Sequence, residues 1–166
     1  MNQKPKSVLF RELLEQPGVL TVPGCYDAIS AIMVEKNGFP VAYMTGFGSS
    51  ASVIGQPDAG IMDFTQMSTH AGNMAHSISI PLVADGDTGY GNAVNVYRTV
   101  KTYAQHEVAA IQLEDQVSPK RCGHTQGKVI VPLNEMLGKL QAALDAAAEK
   151  DIVIIVRTDA RAVEGF

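Results

Sequence analysis

Residues 81–92 read PLVADGDTGYGN. Pro81 to Ala84 is a short apolar run bounded by turn-forming residues, the pattern of a buried strand. Asp85-Gly86-Asp87-Thr88-Gly89-Tyr90-Gly91 is an acidic, glycine-rich loop, and Asn92 suits a helix N-cap. Val96, Tyr97, Val100, Tyr103 and Ala104 then repeat at helical spacing, and Ala109 to Leu113 forms the next apolar run, closing on Glu114-Asp115. Strand, helix and strand make one βαβ unit, with acidic residues at the C-terminal end of both strands.

The same grammar extends in both directions. Upstream, Val19 to Val22 is a strand candidate ending at Pro23-Gly24, and a helix through Ala28, Ile29, Ile32 and Met33 stops at Gly38. Val41 to Thr45 is a second strand. It runs into Gly46-Phe47-Gly48 and a long loop through Gly55, Pro57 and Asp58. Asp63 and Gln66 have the spacing of a capping box, opening a helix with the stripe Phe64, Met67, Ala71, Met74 and Ile78. Downstream, a polar stretch from Gln116 to Lys128 precedes Pro132, which fits a first helical turn. That helix presents Met136, Leu137, Leu140, Ala143, Leu144 and Ala147, and a fifth strand, Ile152 to Val156, ends in Arg157-Thr158-Asp159. Alternation of this kind means a parallel α/β sheet, either open or part of a (β/α)8 barrel. Five units occupy 166 residues, whereas eight need roughly 250. Read from the residues alone, the single domain over 1–166 is either an open five-stranded sheet or the first part of a barrel, with strands near 19–22, 41–45, 81–84, 109–113 and 152–156.

Composition narrows the function classes. With 13 basic and 17 acidic side chains the net charge is −4, which argues against a nucleic-acid partner. No apolar run approaches the ~20 residues of a membrane span, and the first residues lack a signal-peptide core, so a cytoplasmic protein without a membrane partner is expected. Two cysteines, Cys25 and Cys122, are too few for a secreted disulfide scaffold.

Several clusters could carry chemistry. Asp85 and Asp87 follow one strand, and Glu114 and Asp115 the next. Carboxylates brought together repel unless a cation lies among them, and all-oxygen donors suit Mg2+ or Mn2+. Taken singly, each is an ordinary solvated loop residue or cap. Lys120-Arg121-Cys122-Gly123-His124 places a thiol between cations and an imidazole, a setting for a reactive cysteine or simply for a surface loop. One Cys and one His without a second pair do not make a zinc site. Gly46-Phe47-Gly48-Ser49-Ser50-Ala51 matches a dinucleotide fingerprint, but Gly55, Pro57 and Gly60 interrupt the helix it requires, so a loop of amides binding a carboxylate is the alternative. Cys25 reads as a packed residue, and His70, His76 and His106 as surface or packing histidines. Arg157 suits either a substrate carboxylate or an ion pair with Asp159 or the acidic cluster.

GCYDAISA, YMTGFG, the Gln56-Pro57-Asp58 loop, ADGDTGYGN, IQLEDQ, KRCGH and RTDARAVEG occur in the order and spacing of the isocitrate lyase/phosphoenolpyruvate mutase superfamily. The chain resembles its 2-methylisocitrate lyase-like branch. KRCGH after LEDQ is the most specific of these segments. The resemblance implies a (β/α)8 barrel, of which 1–166 is a single incomplete domain truncated after about five βα units, with Mg2+ at its C-terminal rim held by Asp85, Asp87 and Glu114. It places Tyr43, Thr45, Gly46 and Phe47 around a substrate carboxylate, and Asp58 near the metal. Lys120 and Cys122 fall on a closing loop with Gly123, and His124 and Arg157 contact substrate carboxylates. Phe47 departs from the pattern, because that position is often small.

The implied activity is Mg-dependent carbon–carbon cleavage of a 2-hydroxy di- or tricarboxylate, 2-methylisocitrate-like, to a 2-oxo acid and a second carboxylate. Oxaloacetate decarboxylation or hydrolysis, or a carboxyphosphonoenolpyruvate mutase-like reaction, would use the same site. From a different class, an inactive fragment or a non-catalytic binding module would keep the motifs without turnover. A small-molecule carboxylate partner and a homo-oligomeric full-length protein are also expected.

Overall fold

The computed structural model describes residues 4–165. The elements run α1 (Lys6–Leu14), β1 (Gly24–Cys25), α2 (Ala28–Lys36), β2 (Ala42–Met44), α3 (Gly46–Ile54), α4 (Phe64–Ser77) and β3 (Leu82–Asp85). They continue with α5 (Ala93–Gln105), β4 (Ala110–Glu114), α6 (Leu133–Lys150), β5 (Val153–Arg157) and α7 (Ala160–Glu164). All neighbouring strands pair in parallel, and their order is β1-β2-β3-β4-β5. A doubly wound sheet reverses its order partway. Strict sequence order with crossovers of one hand keeps the crossover helices on one side, which is the barrel-type wall.

The two faces of this wall are separated by residue parity, because successive strand side chains point opposite ways. Ala42, Met44, Leu82, Ala84, Ile111 and Ile154 pack toward the helices. Tyr43, Val83, Ala110, Val153 and Ile155 pack on the concave face, where Phe10 and Leu13 of α1 and the extended residues Leu20 and Val22 cover them. The register pairs Asp85 with Gln112, and Glu114 with Arg157. Asp85 therefore shares its face with Val83, Glu114 with Ala110, and Arg157 with Ile155. The parity that buries the core also turns these three polar side chains inward at the C-terminal rim.

Four predicted strands are present, within one residue of their expected bounds. The first is a correction: Val19 to Val22 is not a strand. Val19 is 95% exposed, and pairing begins only where the Tyr43 amide donates to the Pro23 carbonyl. The segment after β2 is a second correction. A nine-residue helix, α3, starts at once, with Thr45 as its N-cap accepting from the Gly48 amide and Gly55 closing it in the left-handed region. On α6 the expected stripe is rotated. Met136 and Ala143 are buried, but Leu137 and Leu144 stay exposed, while Lys139 and Ala146 turn inward. The capping boxes at Asp63 and Asn92 form, the first with Gln66 and the second with Asn95.

Candidate active site

Three loops meet at the rim: the one after β3, the start of α3 after β2, and the stretch after β4. The β3 loop is sharply folded, with Asp87 and Tyr90 both at positive φ (48° and 60°), a conformation that L side chains adopt only under constraint. The constraint is visible in the bonds made there. Asp85 accepts from its neighbour's Asp87 amide (3.0 Å) and from the Gly46 amide at the N-terminus of α3 (3.1 Å). The Tyr103 hydroxyl, fully buried on α5, donates to the Asp85 carbonyl (3.3 Å). Lys139, buried on α6, donates to the Thr88 carbonyl (3.3 Å). A β-carbon on Gly46 would stand 2.6 Å from Asp85 Oδ2, so glycine is what lets the α3 amide reach the carboxylate.

Lys120 supplies the cation nearest the acidic group. Its ammonium is buried, 2.5 Å from Asp58 and 3.0 Å from Asp87. Burial alone would lower its pKa, but Asp87, Asp85 and Asp58 raise it above the ordinary lysine value. One ammonium does not offset the whole cluster. Burial pushes Asp85 up despite Lys120, and burial with the Asp85 charge pushes Asp87 up to about 6. Burial pushes Glu114 up to about 7, against the pull of Arg157. Arg157 lies 3.3 Å from Glu114 and 3.1 Å from Asp159.

These carboxylates do not form a ready cage: among the described residues no three metal-binding side chains are gathered around one point. The Asp85 oxygens are held by amides, and Glu114 is turned toward Gln116 and Arg157. Two observations nonetheless fit a divalent cation. Asp87 Oδ1 is buried with no amide or hydroxyl bonded to it, and its charge is met by the Lys120 ammonium 3.0 Å away. The clustered donors are all oxygen, which suits Mg2+ or Mn2+, ions commonly bound partly through water.

Beside the cluster lies a cleft of about 600 Å3 lined by Phe47, Pro57, Asp58, Arg121, Cys122 and His124. Cys122 is a half-buried free thiol. Of its flanking cations, Lys120 is committed to Asp58 and Asp87 rather than to the thiol. Phe47 stays 61% exposed and forms one wall. Gly123 passes so close to Arg157 that a β-carbon there would be 2.6 Å from the guanidinium.

The structure thus brings together Gly46 with Asp85, Lys120 with Asp58 and Asp87, and Glu114 with Arg157 and, through it, Gly123. Tyr43 faces the same group, and burial and the Asp85 charge raise its hydroxyl pKa. Thr45 uses its hydroxyl to cap α3. Asp115 leaves the cluster. It accepts from the Thr158 hydroxyl (2.5 Å) and the Asp159 amide (2.9 Å), fastening the end of β4 to the end of β5. The dinucleotide reading meets an obstacle as well, because the Gly46 amide that would cradle a phosphate already donates to Asp85. Cys25 is fully buried, its thiol donates to the Tyr43 carbonyl (3.3 Å), and burial pushes it up to about 12. His70 bonds the Tyr26 carbonyl (2.8 Å), and His76 lies 3.9 Å from Glu107. The ring of His106 packs against Gly72.

Sequence reasoning missed Gln116. It is 1% exposed and bonded to Glu114, Arg121 and Asp159. The available signal was its place directly after two acidic residues at a strand end.

A family profile described as phosphoenolpyruvate phosphomutase matches residues 10–164. A 2,3-dimethylmalate lyase of Eubacterium barkeri is 48% identical over 157 residues, covering 95% of this chain and 54% of the relative. A 2-methylisocitrate lyase of Aeropyrum pernix is 39% identical over 164 residues, covering 99% and 52%. An oxaloacetate acetylhydrolase solved with 3,3-difluorooxalacetate superposes with a TM-score of 0.94 at 40% identity, over 98% of this chain and 56% of that one. A phosphonopyruvate hydrolase solved with oxalate and Mg2+ gives a TM-score of 0.87 at 33% identity, over 98% and 56%. The chain spans about half the length of the curated relatives it matches.

Proposed function

The chain belongs to the isocitrate lyase/phosphoenolpyruvate mutase superfamily, and from that premise we propose that its protein is a Mg2+-dependent carbon–carbon lyase. Its substrate is a 2-hydroxy di- or tricarboxylate, of the 2,3-dimethylmalate or 2-methylisocitrate kind, split to a 2-oxo acid and a second carboxylate. The observation that supports this best is the placing of Cys122 in a cleft directly beside the buried Asp58–Asp85–Asp87–Lys120 group.

Asp85, Asp87 and Glu114 are the residues that would hold the metal. When bound, Mg2+ supplies Lewis acidity toward the hydroxyl and carboxylate of the substrate. The α3 N-terminus, through the Phe47 amide, and the Arg157 guanidinium offer donors for substrate carboxylates. Lys120 keeps Asp58 and Asp87 in place. As the bond between the hydroxyl-bearing carbon and its neighbour breaks, a carboxylate of the acidic cluster takes the hydroxyl proton and a carbonyl forms. The departing carbon receives its proton from Cys122 Sγ. His124 and Phe47 close the cleft around that fragment and limit access of water.

Cys122→Ser is expected to lose turnover of 2,3-dimethylmalate and 2-methylisocitrate by at least about 100-fold while still binding Mg2+ and pyruvate. Full activity in that variant would remove the thiol from the mechanism. The superposition on an oxaloacetate acetylhydrolase favours a second reading, cleavage of oxaloacetate at the same site. Assaying all three acids side by side separates the two.

A further inference from the structure

Gln116 makes a denser set of contacts than any residue assigned a chemical role. Its amide nitrogen lies 3.0 Å from Glu114 Oε1, 3.0 Å from the Arg121 carbonyl and 3.1 Å from Asp159 Oδ2. Its amide oxygen accepts from the Arg121 N–H at 3.0 Å. The orientation of the amide follows from its partners. Turned over, it would set an oxygen against three oxygens and an NH2 against an N–H. Toward Arg121 the side chain behaves as a strand partner, bonding both the N–H and the C=O of one residue.

The place of this clamp in the loop gives it meaning. The stem is tied at its base, where the Val131 amide donates to the Asp115 carbonyl (2.8 Å) and Val117 to Val129 (2.8 Å). Lys120 is fixed to Asp58 and Asp87, and Arg121 to Gln116. The reactive thiol is the next residue. Beyond it, residues 122–125 form only a local turn, with the Thr125 amide on the Cys122 carbonyl (2.9 Å). Gln116 therefore stands between Glu114 on the strand and the residue that carries Cys122.

We propose that Gln116 is a positioning residue. Its carboxamide fixes the Cys122 backbone relative to Glu114 and Asp159, so that the thiol is held at a set distance from the acidic cluster. The proposal rests on the lyase reading for its kinetic consequence and on geometry alone for its structural one.

The test compares wild type with Gln116→Met, which keeps the volume and loses every polar contact. The kcat for 2,3-dimethylmalate should fall about 10- to 100-fold, because a misplaced reacting group costs on that order, while KM stays within roughly threefold. Native, metal-free protein treated with iodoacetamide reports on Cys122, because Cys25 is fully buried. Alkylation should be at least about threefold faster in the variant. If Gln116→Met does not fold, Gln116→Glu carries the same test, since it keeps the acceptor for the Arg121 amide. A folded variant with wild-type kcat overturns the proposal, and so does an unchanged alkylation rate. If wild type cleaves none of the three acids, the lyase reading fails, while the alkylation comparison still decides whether Gln116 holds the thiol in place.

Discussion

Gly123 shows how little space separates the loop from the strand ends. A methyl group there would meet the Arg157 guanidinium at 2.6 Å. Arg157 is flexible, so Gly123→Ala should displace the guanidinium rather than unfold the chain. The expected result is a KM raised about tenfold, the scale of one charged contact, with thermal stability nearly unchanged. The buried carboxylates give a prediction about pH. Their folded pKa values, about 6 for Asp87 and about 7 for Glu114, lie above the ordinary carboxylate range. A raised carboxylate pKa means that the folded state favours the proton. Their contribution to metal-free stability is thus complete below about pH 4 and lost as pH rises through 6 to 7. Mg2+ needs the ionised forms, so its affinity should climb across the same window. Melting curves with and without Mg2+ from pH 5 to 8 would show the two trends diverge. Asp85, Glu114 and Arg157 could be found from sequence because each follows an apolar run. Gln116 had only its place after Glu114-Asp115 as a signal, because its partners Arg121 and Asp159 are joined to it only by the folded path of the loop.

Elements were legible where a cap and a stripe coincide. Asp63 caps α4 and is reciprocated by Gln66. Asp63→Ala should cost ~1 kcal/mol in urea unfolding with turnover unaffected, as for other N-caps. Beginning at Gly46 with a second glycine two residues on, α3 looks like a loop by propensity. Close packing overrides propensity there: a β-carbon at Gly48 would lie 2.6 Å from Tyr26, and one at Gly46 2.6 Å from Asp85. The opposite error arose at Val19 to Val22, where β-branched residues suggest a strand. Leu20 and Val22 are partly buried, but against the concave face rather than within a ladder. Apolar character anticipates the partial burial of Leu20 and Val22 but neither the exposure of Val19 nor the missing ladder.

At the scale of the whole molecule, helices cover one side of the wall and α1 covers part of the other, through Phe10 against Val41, Val83, Ala109 and Ala110. Phe10 is 3% exposed, and Phe10→Ala should destabilise the fold by ~3–5 kcal/mol in denaturant unfolding. Alternating strands and helices alone allow either winding, and it is the motif resemblance that points to the barrel-type order the strand pairing has. Parity within the strands has one more result. Glu114 and Asp115 are chemical siblings one bond apart, yet Glu114 lies beside Arg157 and Gln116 while Asp115 bonds Thr158 and Asp159. In a library of single substitutions, tolerance along β4 should therefore beat with a period of two. One residue would score in an assay of growth on the substrate and its neighbour in an assay of expression, so that the catalytic repertoire can drift without loosening the scaffold beside it.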